Sequence, residues 1–160
     1  MAVKVTPRGT RGGNGPPGFL RPILAILQRP YTAAVRRRGS KMKTAGQPLM
    51  VLTTVGANTG KERETVLGYW AEHGGSIVVI GTNMGAAVHP GWLFNMARNP
   101  DKVWIERDGV RQRVTPETLE GPERAAFWAE VAAGSARYAR YEQVTDREMP
   151  IVRLRPVAGS

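Results

Sequence analysis

The sequence predicts a mainly β (α+β) domain, six antiparallel strands forming a small barrel with flanking helices and a basic N-terminal arm. Apolar or alternating runs recur at 49–55, 63–72, 76–81, 102–107, 110–114 and 151–155. Two of the intervening gaps are hairpin signals, His73-Gly74-Gly75 and Asp108-Gly109,. Strands joined mainly by hairpins, with helices confined to a few connections, do not fit the regular alternation of a doubly wound fold.

The chain of 160 residues is long enough for one domain with a real core, and 41% of it is hydrophobic,. No apolar run is long enough to cross a bilayer, so a soluble, cytoplasmic domain is expected. Zero cysteines exclude disulfides and thiol chemistry, and two histidines, His73 and His89, are too few for a histidine-rich metal site,. No metal is expected. Residues 1–60 hold ten Lys/Arg and no Asp/Glu, while residues 61–160 hold thirteen of each. The formal charge of +10 therefore belongs to the first 60 residues.

Residues 1–17, rich in Gly, Pro and basic side chains, have little to bury and are expected to be a disordered tail,. Residues 18–47 form a basic amphipathic arm. Its proline-interrupted helix carries Phe19, Leu20, Ile23, Ile26 and Leu27 on one side, with Arg21, Arg29, Arg36, Arg37 and Arg38 outside,. Packing of the apolar side on the barrel is one reading; peripheral contact with an anionic membrane is the other. Specific nucleic-acid binding is not expected, because only Phe19 and Tyr31 offer stacking and no binding motif follows. Residues 48–157 are the barrel domain. Within it a short helix spans 92–98, Gly121-Pro122 opens another that carries Phe127, Trp128 and Val131 inward, and a last one runs through Tyr138 and Tyr141,.

Two loops carry the chemistry. The first, Thr54-Val55-Gly56-Ala57-Asn58-Thr59-Gly60-Lys61-Glu62-Arg63, breaks a strand with glycines and delivers two cations onto the next one. Lys61 and Arg63 lie two apart on a strand, hence on one face, and can clamp one anion. The spacing is not that of a P-loop: three residues separate Gly56 from Gly60, and Glu62 follows the lysine,. The second loop, Gly81-Thr82-Asn83-Met84-Gly85, follows an apolar run and leads to His89-Pro90-Gly91-Trp92, where proline opens a helix,. His89 reads as a turn or cap residue.

The ordered series Leu-Thr-Thr, Gly-x-x-Thr-Gly-Lys-x-Arg, Gly-Thr-Asn-x-Gly, His-Pro-x-Trp-x-x-Asn, Asn-Pro and Thr145-Asp146-Arg147-Glu148-Met149-Pro150 resembles the deazaflavin-dependent nitroreductase family of actinobacteria,. The resemblance covers roughly residues 48–156. It implies a split β-barrel that binds the 8-hydroxy-5-deazaflavin coenzyme F420 and passes its hydride to a small electron-poor acceptor, a quinone, enone or nitro compound. Thr54, Gly56, Asn58, Thr59, Gly60, Lys61, Arg63 and Thr65 would then serve the coenzyme from the first loop. Gly81, Thr82, Asn83, Met84, Gly85, Pro90 and Trp92 would serve it from the second. Tyr69, Tyr138 and Tyr141 become the substrate-side residues, with Thr82 and Tyr138 catalytic through hydrogen bonds to the reacting acceptor.

The chain departs from the family at Ala57 and Asn58, where basic residues are common, at Val66, where proline is common, and at Ser135, where some members have tyrosine. Arg38, Lys41 or Lys43 of the arm can replace the missing charge. The oligomer is expected to be a monomer or homodimer. Two other readings stay open, an FMN-binding split barrel and a non-catalytic binder of deazaflavin or nucleic acid.

Overall fold

The computed structural model describes residues 3–13 and 20–159. Its strands are β1 (Lys43–Thr44), β2 (Gln47–Val55), β3 (Glu62–Gly68), β4 (Trp70–Ala71), β5 (Ile77–Ile80), β6 (Val103–Arg107), β7 (Val110–Thr118) and β8 (Ile151–Pro156). Helices are α1 (Arg21–Arg38), α2 (Gly91–Arg98), α3 (Gly121–Gly134) and α4 (Ala136–Val144). The order along the sheet is β1-β2-β6-β7-β8-β5-β4, with β3 also paired to β2, and every strand pairing is antiparallel.

Two strands change partners, and this curls the sheet into a split half-barrel. β7 pairs with β6 through Val110–Arg113 and with β8 from Val114 to Thr118. The segment 62–71 pairs first with β2, then turns at Tyr69 and places Trp70 opposite Val78 of β5. The expected single strand 63–72 is therefore two. β1 is a further addition, a two-residue arm closed by Ala45 and Gly46 at φ 47° and 83° and too short to show a period. Eight strands replace the expected six for these two reasons.

Central strands are buried on both faces. Met50 and Leu52 of β2, Ile77 and Val79 of β5, Ile105 of β6 and Leu154 of β8 meet Trp92, Leu93 and Met96 of α2 in the barrel interior. The alternate residues Val78, Ile80 and Ile151 pack under Trp128 and Val131 of α3 and Tyr138 of α4. On the outer face of β2, Leu49 and Val51 receive Val35 of α1.

The N-terminal arm behaves differently from both expectations. Residues 3–13 are not a loose tail: Val3 is 7% exposed within the barrel core. The rest of the segment lies as a strap along 85–87 and 145–148. Gly9 N–H donates to Ala87 O at 2.8 Å, Asp146 accepts from the amides of Thr10 and Arg11 at 2.9 Å, and Thr145 Oγ1 donates to Arg11 O at 2.8 Å. Gly12 runs so close to the 85–87 backbone that an added Cβ would lie 2.7 Å from Gly85 O. Residues 14–17 and Phe19 lie outside the described residues.

α1 continues through Pro30, but its apolar stripe is not covered: Ile23, Ile26 and Leu27 are 54%, 58% and 67% exposed. An 18-residue helix is about 27 Å long,, and only its last turns rest on the sheet. There Arg36, expected outside, pairs with Glu64 and, at 2.6 Å, with Glu106, while its carbonyl accepts from Gly109. No described helix is long and apolar enough to cross a membrane.

Candidate functional site

The loop between β2 and β3 is a closed turn, with Gly56 N–H donating to Lys61 O at 2.8 Å and Gly60 N–H to Gly56 O at 2.9 Å. Helix α2 pins it from behind. The Asn95 carboxamide donates to Thr54 Oγ1 and accepts from Ala57 N–H, both at 3.0 Å, and Asn99 donates to Val55 O at 3.1 Å. These asparagines are four apart and so share a helix face. Thr54, buried and bonded to Asn95, supports the loop rather than lining its mouth.

Asn58, Thr59, Gly60 and Lys61 are exposed. On β3 the alternation separates two sets of charges. Glu62 and Glu64 reach Arg111 and Arg36 beneath α1. Arg63 points to the opposite face, above the half-buried Thr65, and neither its side chain nor that of Lys61 has a hydrogen bond or ion pair among the described residues. Two cations beside a glycine turn, without a partner among the described residues, leave their charge available to an anion,.

The second loop is built around a buried cation. Gly81, itself buried, is packed between Pro150 and Pro90. Asn83, Met84 and Gly85 follow in left-handed conformation, φ 44°, 52° and 76°. Beneath them Arg147 is 3% exposed. Its Nε donates to Ala86 O at 3.0 Å, Nη1 to Gly81 O at 3.0 Å and His89 Nδ1 at 2.9 Å, and Nη2 to Thr82 O at 2.8 Å. Guanidinium can only donate, so His89 Nδ1 accepts and the ring proton sits on Nε2, which donates to Thr6 O at 2.8 Å,. Burial, reinforced by the neighbouring Arg147 charge, pushes His89 below its ordinary value and keeps it neutral. Hydrogen bonds from the Thr10 hydroxyl and the Arg11 amide hold Asp146 down to about 2.

A cluster of aromatic rings adjoins this loop. Tyr138 lies 5.8 Å from Tyr141 and 5.2 Å from Trp70, which is 5.8 Å from Phe127. A Cβ on Gly85 would lie 3.3 Å from Tyr141, so α4 is seated directly on the loop. Burial, with Tyr141 adding to it, raises the Tyr138 phenol above its usual range. It is a hydrogen-bond donor at neutral pH.

The structure thus brings the turn of Asn83, Met84 and Gly85 against α4, with Gly85 beside Tyr141 and Tyr141 beside Tyr138; Thr82 opens the turn, its carbonyl on Arg147. Tyr69 is not among them. Strand alternation turns it into the barrel interior, 6% exposed with Arg107 over its ring, and gives Trp70 the place beside Tyr138. Trp92 is 5% exposed and packs with Leu93 and Met96 in the same interior. Pro90 is half-buried at the foot of α2. Asn83 turns its amide back to Val88 O at 3.0 Å, whereas the Met84 side chain is 73% exposed at the loop tip.

Sequence reasoning missed Asn95, Trp70 and Arg147 as site builders. The Asn95/Asn99 spacing was a readable signal. Arg147 stands inside the 145–150 motif, but its burial under the 81–86 loop depends on partners 61 to 66 residues away and could not be read from that motif.

Residues 27–156 match the family model described as F420H(2)-dependent quinone reductase. The chain belongs to this family. It is accordingly an F420-dependent oxidoreductase. The family's F420H(2)-dependent quinone reductase from Mycobacterium tuberculosis is 34% identical over 136 residues, covering 82% of this chain and 89% of the relative. Among solved structures, the F420-H2 dependent reductase FDR-A is similar at 31% identity and TM-score 0.57, over 67% of this chain and 93% of that one. Another, described as a domain-swapped dimer, has 26% identity and TM-score 0.59, over 83% and 98%.

Proposed function

We propose that this reductase holds the anionic tail of F420 on Lys61 and Arg63 and receives the deazaflavin ring at the 81–85 loop, with a quinone as acceptor. The observation that carries the reading is the pair of cations, without a partner among the described residues, beside a loop that Asn95 and Asn99 fix from behind. A phosphate or carboxylate of the tail supplies the missing partner through charge-assisted hydrogen bonds. The ring needs donors for its carbonyls and a flat approach, which short residues on a left-handed turn allow.

When bound, the reduced deazaflavin supplies a hydride from its C5 atom. The chain's residues provide position and electrostatics. Hydride addition to a quinone leaves negative charge on the carbonyl oxygen, and the Tyr138 phenol, held protonated by burial, stabilises it by donating a hydrogen bond,. The Thr82 hydroxyl is the second donor. A proton from solvent then completes the hydroquinone. Tyr141 and Trp70 wall the acceptor and exclude water,.

The quinone reading follows from the name of the Mycobacterium tuberculosis relative and from an acceptor side lined by apolar rings. A homodimer fits the exposed first half of α1 and the domain-swapped assembly of the relative. The same helix, with Arg29, Arg37 and Arg38 exposed, also suits peripheral contact with an anionic membrane from the cytoplasmic side,.

Titration with F420 beside FMN tests the central assignment. F420 is expected to bind at least about tenfold more tightly, since FMN lacks the extended polyanionic tail. Equal or tighter FMN binding would transfer the site to the flavin reading.

A further inference from the structure

The second loop holds a cation that the proposed mechanism does not use. Arg147 is buried, and its side chain's hydrogen-bond partners among the described residues are all neutral: three backbone carbonyls and one imidazole nitrogen. The adjacent acid, Asp146, is turned outward to the strap. Burying an unneutralised charge is unfavourable, and neutral acceptors offset it only in part. What it achieves is orientation.

In a trans peptide, C=O and the following N–H point in opposite directions. Gly81 O and Thr82 O are drawn down to the guanidinium, at 3.0 and 2.8 Å. The N–H of Asn83 is therefore turned away from it, toward the outer side of the loop. Gly85 N–H closes back on Thr82 O and Ala86 N–H on Asn83 O. Neither Asn83 N–H nor Met84 N–H has an acceptor among the described residues. Both residues are held left-handed, a conformation that non-glycine residues leave unless surroundings over-determine it,. Arg147 is the surrounding group with the most bonds to this turn.

We infer that Arg147 is a positioning residue for hydride transfer, one that sets the 81–86 backbone so that the Asn83 and Met84 amides present themselves to the carbonyl oxygens of the deazaflavin ring. The inference rests on the coenzyme reading above. Arg147 does not touch the ring. It acts through Thr82 O and Gly81 O, and its fork geometry matters as much as its charge, because a lysine ammonium on a single stem cannot reach Gly81, Thr82, Ala86 and His89 together.

The test uses two ligands, the intact coenzyme and its 8-hydroxy-5-deazaflavin chromophore lacking the phosphate–glutamate tail. Arg147→Lys and Arg147→Gln should each weaken both ligands by the same factor, about tenfold, because the ring contact is common to both. Arg63→Ala, the control for the cradle, should weaken only the tailed ligand. Wild-type affinity of Arg147→Lys for the chromophore would show that charge alone suffices and overturn the inference, as would a loss confined to the tailed ligand.

Amide NMR on the wild-type chain keeps the test independent of any variant's folding. Adding the tail-less chromophore should move the Asn83 and Met84 amide resonances, with smaller changes at Ala57 and Lys61. Silence at both loop amides while the intact coenzyme binds overturns the role of Arg147 alone. Failure of the wild-type protein to bind either ligand overturns the coenzyme reading and this inference with it.

Discussion

Lys61, at the end of the turn, and Arg63, on β3, stand exposed without a partner among the described residues, whereas Arg147 is 3% exposed and spends four hydrogen bonds on Gly81, Thr82, Ala86 and His89. In the proposed reading the two arrangements serve one reaction by opposite means. An exposed cation is free to meet a ligand, and its contribution appears in affinity; a buried one is committed to the fold, and its contribution appears in the shape of a loop. A basic residue near a site is therefore assigned by its partners and not by its charge.

The comparison is most easily broken at Arg147. Replacing it by Met strips the donors from three loop carbonyls and should lower unfolding free energy by about 3 kcal/mol or more, since buried acceptors left unsatisfied cost ~1–3 kcal/mol each. Urea denaturation reads this directly; a loss below ~1 kcal/mol would mean that the loop does not depend on the interior cation.

Removing residues 1–13 strips the other side of the same clasp. Val3 leaves the core, and Asp146, Thr145 and His89 lose their strap contacts. Burial of one valine and several exposed or part-buried hydrogen bonds together predict a loss of roughly 2–3 kcal/mol,. An unchanged melting profile would return the strap to a surface tail.

On the acceptor side, Tyr138→Phe keeps the ring packed against Trp70 and removes one donor. Turnover with a quinone should fall about tenfold while F420 affinity stays constant, as for loss of one transition-state hydrogen bond. Wild-type single-turnover rates would leave Tyr138 a packing residue only.

Acid should discriminate between the two cation sets by a smaller effect. His89 is held below its ordinary value near 6.5, so the folded state binds its proton less readily than the unfolded chain,. Its contribution is complete above about pH 6.5 and is lost as pH falls through the depressed folded value,. A protonated His89 can no longer accept from Arg147, and the second loop should loosen before the cradle does. Denaturation at pH 7.5 and 5.5 should show stability falling with acid, and His89→Gln should flatten that slope; an equal slope in the variant contradicts the assignment.

The barrel was legible because its strands announce themselves by period and its hairpins by Gly-containing turns, as at Asp108-Gly109 and His73-Gly74-Gly75,. The placement of the first loop was legible for a related reason: Gly60, Lys61 and Arg63 are local in the chain, so their exposure beside one turn follows from spacing. What stayed hidden depends on long-range partners. Ile23, Ile26 and Leu27 read either as a packing stripe or as a membrane face and lie exposed, while Gly9 and Gly12 read as disorder yet allow a strap to press on a backbone more than 70 residues away. Tyr69 and Trp70 exchanged places for want of a known register, which one residue's shift reverses,.

The most direct test of the account is the effect of Arg63→Ala on two dissociation constants, those of intact F420 and of its tail-less chromophore, measured in the folded protein. A charge-assisted contact worth roughly 1.5–3 kcal/mol predicts at least about tenfold weaker binding of the tailed coenzyme and no change for the chromophore. No change for either ligand, or an equal loss for both, would contradict a cradle that grips the tail through Lys61 and Arg63.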